Sequence, residues 1–230
     1  MKLDLLSTFV GTILGASALL LLGASSMSAP QVLTAGQQEI LGLFSLVEMK
    51  GADDAQYKTL RLSGVNLQLV NGGNATDEGP PGLGNLIVGY NESPSAEGSI
   101  RTGRHNLVVG RNHSYMSDGG VVMGYENSVS GKWSSVTGGV HNLAAGIASS
   151  INGGEGNHAT GSWSTVAGGQ GNVASGSWAT ASGGHSNGST GSWSAILGGE
   201  SNEANGSAST VAGGRDNKVS GTVEYLGESR

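Results

Sequence analysis

The sequence predicts an all-β protein: a parallel β-roll, or β-solenoid, of mostly 15-residue coils, preceded by a short helix. Three observations predict it. Glycine recurs at Gly131, Gly146, Gly161, Gly176, Gly191, Gly206 and Gly221, a step of fifteen. A Gly-Gly pair recurs in phase, from Gly138-Gly139 to Gly213-Gly214, and so does an asparagine, at Asn142, Asn157, Asn172, Asn187, Asn202 and Asn217. The composition also excludes a thick core. The 230 residues include 42 Gly and only 2 Phe, and 12% are charged, where globular domains carry about 7% Gly and about 25% charged residues.

Fifteen residues hold two short strands and two turns, but not a pair of helices. The clearest copy is Gly161-Ser162-Trp163-Ser164-Thr165-Val166-Ala167-Gly168-Gly169-Gln170-Gly171-Asn172-Val173-Ala174-Ser175. Ser, Trp, Thr and Val at its positions three to six favour strand, and Gly and Asn are expected where the chain turns with φ > 0. Stacked coils bring identical residues over one another about 4.8 Å apart, so the asparagines are expected to form a ladder that satisfies turn backbone groups. Each coil offers about one aliphatic residue: Val136, Ile151, Val166, Ala181, Ile196, Val211. Burying one contributes roughly 1.5–3 kcal/mol, while ordering each backbone residue costs on the order of 1 kcal/mol. One thin roll is therefore expected to be marginal, and a side-by-side trimer is expected to cover its faces.

The elements follow in order. Residues 1–29 read as a secretory signal or a membrane helix: Lys2 precedes an uncharged apolar run over residues 5–23, and small residues follow it. Either reading sends the chain out of the cytoplasm, to an extracellular or cell-surface position. Membrane contact is expected only through residues 5–23, and only if they are not cleaved. Residues 30–50 read as a short helical collar, with Leu33, Ile40, Leu43, Phe44 and Val47 on one helical face. Residues 51–84 read as a strand-and-loop neck. There Leu60, Leu62, Val65, Leu67 and Leu69 alternate with polar residues, before the turn signals around Asn71-Gly72-Gly73-Asn74 and Gly79-Pro80-Pro81-Gly82. Residues 85–230 are the repeat region. Its first coils are degenerate: Asn85-Leu86-Ile87-Val88-Gly89, Asn106-Leu107-Val108-Val109-Gly110 and Gly120-Val121-Val122-Met123-Gly124, with a loop inserted around residues 93–99.

Several motif matches dissolve into this repeat. Gly184-His185-Ser186-Asn187-Gly188 has the spacing of a nucleophile elbow, but sister copies carry Gly171 or Ser201 in the serine slot. Gly169-Gln170-Gly171-Asn172-Val173-Ala174 mimics a dinucleotide fingerprint without a βαβ unit. Gly153-Gly154-Glu155-Gly156-Asn157 is like a calcium-binding solenoid repeat but lacks its aspartate. No catalytic residue, cofactor or metal ligand is expected, nor an enzyme. A net charge of −6 gives no support for a nucleic-acid partner, and with no cysteine there is neither a disulfide nor a thiolate site. An ice-binding array is disfavoured because Ser and Thr do not recur regularly enough.

Two surface features remain. Trp133, Trp163, Trp178 and Trp193 share one repeat slot; an aromatic stripe there binds sugar rings or protein, or packs between chains. Arg101, Arg104, His105, Arg111 and His113 form a basic cluster, either a contact for an acidic polymer or a solvated loop face.

The units Asn106-Leu107-Val108-Val109-Gly110, Gly120-Val121-Val122-Met123-Gly124 and Asn172-Val173-Ala174-Ser175-Gly176 resemble the repeats of trimeric autotransporter adhesin heads of the YadA type. The resemblance covers about residues 85–227. It implies a trimer of left-handed parallel β-rolls and a role in adhesion to a matrix or another surface, with a matrix protein or glycan as partner. The copies here are mostly fifteen residues rather than fourteen and carry Gly-Gly and often Trp. The family's stalk and C-terminal barrel are not matched, so attachment is expected through the N-terminal segment or a partner. A purely structural subunit of an extracellular fibre or sheath, including a phage-type fibre, is the alternative.

Overall fold

A computed structural model describes residues 33–50, 52, 56–73, 75, 78–93 and 100–226. The expected signal or membrane segment lies outside the described residues, as does most of the loop expected around residues 93–99. The chain divides into two compact units, Met1–Leu67 and Gln68–Arg230.

The first unit carries one helix, α1 (Ala35–Gly42). A capping box starts it: the Thr34 side chain accepts from the Gln37 backbone while the Gln37 side chain accepts from the Thr34 backbone. The expected helical collar over residues 30–50 is corrected here. The helix ends at Gly42, and β1 (Phe44–Lys50) pairs antiparallel with β2 (Gln56–Leu62). An eight-residue helix has little stability of its own. The hairpin instead sets complementary pairs opposite one another: Phe44 with Leu62, Leu46 with Leu60, Glu48 with Lys58. The β alternation of Leu60 and Leu62 is real, but Val65, Leu67 and Leu69 lie beyond the strand in irregular chain. No described residue of this unit is buried.

The second unit is an all-β parallel solenoid. It begins with β3 (Leu86–Val88), β4 (Leu107–Arg111), β5 (Ser114–Tyr115), β6 (Val121–Tyr125) and β7 (Ser128–Val129). Two-residue strands then alternate at fixed intervals: β8 (Ser135–Val136), β9 (Leu143–Ala144), β10 (Ser150–Ile151), β11 (His158–Ala159), β12 (Thr165–Val166), β13 (Val173–Ala174), β14 (Thr180–Ala181) and β15 (Gly188–Ser189). The last are β16 (Ala195–Ile196), β17 (Glu203–Ala204), β18 (Thr210–Val211), β19 (Lys218–Val219) and β20 (Tyr225–Leu226). The even-numbered strands from β4 onward and β3 form a ten-stranded sheet, and the odd-numbered strands from β5 onward an eight-stranded one. All pairs are parallel. Val166 lies between Ile151 and Ala181, and Ala174 between Ala159 and Ser189. A third ladder, one residue wide, links Tyr125, Val140, Glu155, Gln170, His185, Glu200 and Arg215.

The register follows the sequence period. Partners are fifteen apart in the regular coils, fourteen between β4 and β6, and twenty-one between β3 and β4. The pairing also separates two look-alike units. Leu107 belongs to the ten-stranded sheet, whereas Val173 belongs to the other. Asn106-Leu107 and Asn172-Val173 are thus different corners of the coil, although they read alike.

The interior is thin. Each regular coil buries one side chain from the first strand (Val136, Ile151, Val166, Ala181, Ile196, Val211) and one from the second (Ala144, Ala159, Ala174, Ser189, Ala204, Val219). A small residue (Ser134, Ser149, Ser164, Ala179, Ser194, Ser209) and the ladder asparagine fill the remaining space. Such small contents let the walls approach closely. At Gly146 an added Cβ would lie 1.9 Å from the Gly161 carbonyl oxygen of the next coil, so this slot is glycine because nothing else fits.

Candidate functional site

Of the Gly and Asn expected to hold the positive φ angles, the second Gly of each pair does so, with φ of 84° at Gly154 and 82° at Gly169. The ladder asparagines and the Gly146 series are not in the left-handed region; the tryptophan slot is. Trp163, Trp178 and Trp193 have φ of 56°, 57° and 56°, Trp133 has 61°, and Ala148 and Ala208 in the same slot have 53° and 54°. Tryptophan therefore sits at a turn apex, not on a strand as its β-propensity suggests. The turn is locked by backbone bonds along the stack: Trp163 N–H donates to the Ile147 carbonyl (2.7 Å) and Trp178 N–H to the Ser162 carbonyl (2.9 Å).

This backbone sets the indoles in register. The Trp163 and Trp178 rings stack with centroids 4.8 Å apart and planes 5° apart, and Trp178 and Trp193 with centroids 5.2 Å and planes 1° apart. Both separations fall in the range of favourable offset stacking. The column faces outward, with relative exposures of 50%, 46% and 59% along it. Trp133 stands apart, separated by Ala148, and the Lys132 ammonium lies 4.9 Å from its ring centroid.

The asparagine slot is internal. Asn157 Nδ2 donates to the carbonyls of Gly153 (3.1 Å) and Gly169 (3.0 Å), and its backbone N–H donates to Asn142 Oδ1 (2.9 Å). Asn172, Asn187 and Asn202 repeat this pattern. Asn142 starts the same way on Asn127 Oδ1 (2.8 Å), and Asn217 donates to Gly213 (2.8 Å) while its N–H donates to Asn202 Oδ1 (3.0 Å). These residues hold turns and present nothing to a ligand.

The sequence reading missed two rungs. Asn127 and His113 occupy the same slot one and two coils earlier, and only the fourteen-residue step between them could have revealed this. His113 imitates asparagine: Asn127 N–H donates to its Nδ1 (3.2 Å), and Nε2 donates to the Val109 carbonyl (3.0 Å). Burial pushes its pKa below the usual histidine value, so the ring is neutral with its proton on Nε2.

The five expected basic residues do not make one open patch. His113 is buried. Arg104 grips Asp118 through Nε to Oδ1 (3.1 Å) and Nη2 to Oδ2 (2.8 Å), and this holds the Asp118 carboxyl below its ordinary range. Arg101 donates to the carbonyls of Asn91 (2.6 Å), His113 (3.3 Å) and Glu92. The Arg111 guanidinium lies 5.0 Å from the Tyr125 ring centroid. His105 sits in a turn with φ 55°, its Nδ1 buried and without a partner. The three arginines are thus engaged within the first coils.

The motif mimics are turns. His185 is a rung of the one-residue ladder, and Ser186 follows it with φ 56°. Glu155 is a rung of that ladder and accepts from Gln170 Nε2 (3.3 Å). Among the described residues no three His, Cys, Asp or Glu side chains gather into a metal-binding group, and no helix is long and apolar enough to cross a membrane. Comparison with known protein families and with curated proteins returns no match for this chain.

Proposed function

We propose that this chain is a non-enzymatic extracellular surface protein whose solenoid serves as an adhesin-like head, attaching its bearer to a surface or matrix. The outward tryptophan column carries this reading. Large aromatic surface in register on a rigid stack is the composition of a contact site, where tryptophan contributes disproportionately to binding. The likeness to trimeric autotransporter heads supports the same role. The test is adhesion of the purified full chain to immobilised matrix proteins and glycans. Retention on at least one is expected; retention on none removes the attachment role.

The head is proposed to work as a side-by-side trimer. The first unit supports this: Leu46, Met49, Tyr57, Leu60, Val65 and Leu67 are all exposed in the single chain, more apolar surface than a lone hairpin sustains in water. Analytical ultracentrifugation is expected to give three chains per particle, and a concentration-independent monomer overturns it.

The second reading is a structural fibre or sheath subunit. It is favoured by the solenoid's parallel edges, since β3 and β20 stand at the ends of the ten-stranded order, and an unpaired edge is a template for another chain. Electron micrographs of the native assembly separate the two: free or tethered heads support attachment, end-to-end polymers support the fibre.

A further inference from the structure

We propose that Asn152 is a site of spontaneous covalent modification, which the folded chain leaves free to convert to aspartate and isoaspartate with water as the only co-reactant. The inference is independent of the attachment reading above.

The chemistry needs an asparagine amide within reach of the next residue's backbone nitrogen. Gly153 N attacks Asn152 Cγ. A nitrogen–carbon bond forms, the Cγ–Nδ2 bond breaks, and Nδ2 leaves as ammonia with the proton from Gly153 N. The product is a five-membered succinimide. Water then opens it, giving its hydroxyl to one ring carbonyl carbon and its remaining hydrogen to Gly153 N. Opening at Cγ restores the normal chain with an aspartate. Opening at the backbone carbonyl carbon leaves the chain running through Cγ, one carbon longer. Nothing is oxidised or reduced. A following glycine favours ring closure, because no Cβ crowds the attacking nitrogen and the backbone is free to turn.

The sequence contains four Asn-Gly pairs, and the fold restrains three. Asn71 is buried; its Nδ2 donates to the Glu78 carbonyl and its Oδ1 accepts from Gly73 N–H (3.0 Å). Asn187 is a ladder rung whose Nδ2 donates to Gly183 and Gly199 (2.9 Å each), and Gly188 N–H donates to the Asn202 carbonyl (2.8 Å). Asn205 is exposed, but its Oδ1 accepts from Thr190 Oγ1 (2.7 Å) and its Nδ2 donates to Glu203 Oε2 (2.9 Å). The attacking group there, Gly206 N–H, donates to the Val219 carbonyl (3.3 Å).

Asn152 escapes all of these restraints. It is exposed at the end of β10. Its backbone is held, with N–H donating to the Val166 carbonyl (3.1 Å) and its own carbonyl accepting from Thr137 Oγ1 (3.1 Å). Its side-chain amide and the Gly153 N–H make no hydrogen bond among the described residues. A Cβ added at Gly153 would meet no heavy atom within 4 Å apart from its chain neighbours, so the ring has room to close. The sister coils carry Thr137, Ala167, Ser182, Leu197 and Ala212 in this slot, each followed by glycine. The stack therefore does not need an asparagine here, and this is the one regular coil that has it.

Incubation of the full chain at mildly alkaline pH, which favours the deprotonated nitrogen, tests the site. Chymotryptic peptides are followed by tandem mass spectrometry, where each conversion adds about 1 Da, and ammonia release is measured in parallel. Asn152 is expected to react first. Asn71, Asn187 and Asn205 are expected to be slower by about tenfold or more, since each must first break two or more hydrogen bonds. In urea the four rates are expected to converge, because all four share the same next residue. Asn152→Ser, the residue a sister coil holds as Ser182, is expected to abolish the fast phase of ammonia release with an unchanged circular dichroism spectrum. Gly153→Ala is expected to slow it by about tenfold, because the added Cβ crowds the ring. Reaction of folded Asn152 no faster than that of Asn187 or Asn205 overturns the proposal, as does a fast phase that survives Asn152→Ser. A preference for Asn152 that persists unchanged in urea overturns its selection by the fold.

Discussion

At the scale of single residues, the stack turns ordinary side chains into specialists. His113 replaces an asparagine rung and must stay neutral to accept from Asn127. Its folded pKa lies below the ordinary histidine value, chiefly through burial, with the nearby Arg101 charge lowering it further. The sign follows directly. Above about pH 6.5 the ring is neutral whether the chain is folded or not, and stability is unaffected. As pH falls through that value, the unfolded chain takes up a proton that the folded chain refuses, and stability declines until the folded ring also titrates. The melting temperature is expected to drop between about pH 7 and about pH 5, and His113→Asn, which supplies the same acceptor without titrating, is expected to flatten the drop. Ala208 is strained in the opposite sense, being a non-glycine residue at φ 54°. Ala208→Gly is expected to stabilise the protein by about 1 kcal/mol in urea unfolding. Neither role was legible in the sequence. The repeat period identifies equivalent positions but does not say which of them carries the left-handed angle, and a histidine in an asparagine column reads as a cation until its burial is known.

At the scale of the element, the coil is held by backbone bonds and one amide. The asparagine column was legible because its step is fixed and its side chain has an obvious use at a turn. What the amide bonds was not legible, because both acceptors lie in the Gly-Gly turns, four residues back and twelve ahead. Asn172→Ala removes the donors to Gly168 and Gly184 and the acceptor for Asn187, all at buried or half-buried positions. Leaving such groups unsatisfied costs about 1–3 kcal/mol each, so a loss of about 3 kcal/mol or more is expected in urea unfolding. Exposed polar side chains reinforce the same register across the i, i+15 step: Glu203 with Lys218, Glu200 with Arg215, Thr190 with Asn205. Each exposed pair is weak, but all of them reject a slipped coil. The tryptophans misled for a definable reason. Their strand propensity is genuine, yet two-residue strands leave most of each coil to turns, and the indole is placed by the turn backbone.

At the scale of the whole molecule, the repeat region and its phase were open to reading because one period governs 100 or so residues and each coil solves the same packing problem. The first unit was not, because a short apolar segment satisfies helical and strand spacing alike; only the seven pairings between β1 and β2 decide it. The coil-to-coil equivalence has a last consequence, for reach. Every regular coil hands the next an identical set of donors and acceptors, so the protein can be shortened or lengthened in quanta. Excision of residues 191–205 joins Thr190 to Gly206 and restores every vertical partner; excision of residues 191–204 puts Asn205 where a glycine must go. The first variant is expected to unfold cooperatively, the second to lose cooperativity in a thermal melt followed by circular dichroism. Copying or dropping a 45-base unit thus changes the length of the solenoid by about 4.8 Å at a time, with no other change to the sequence.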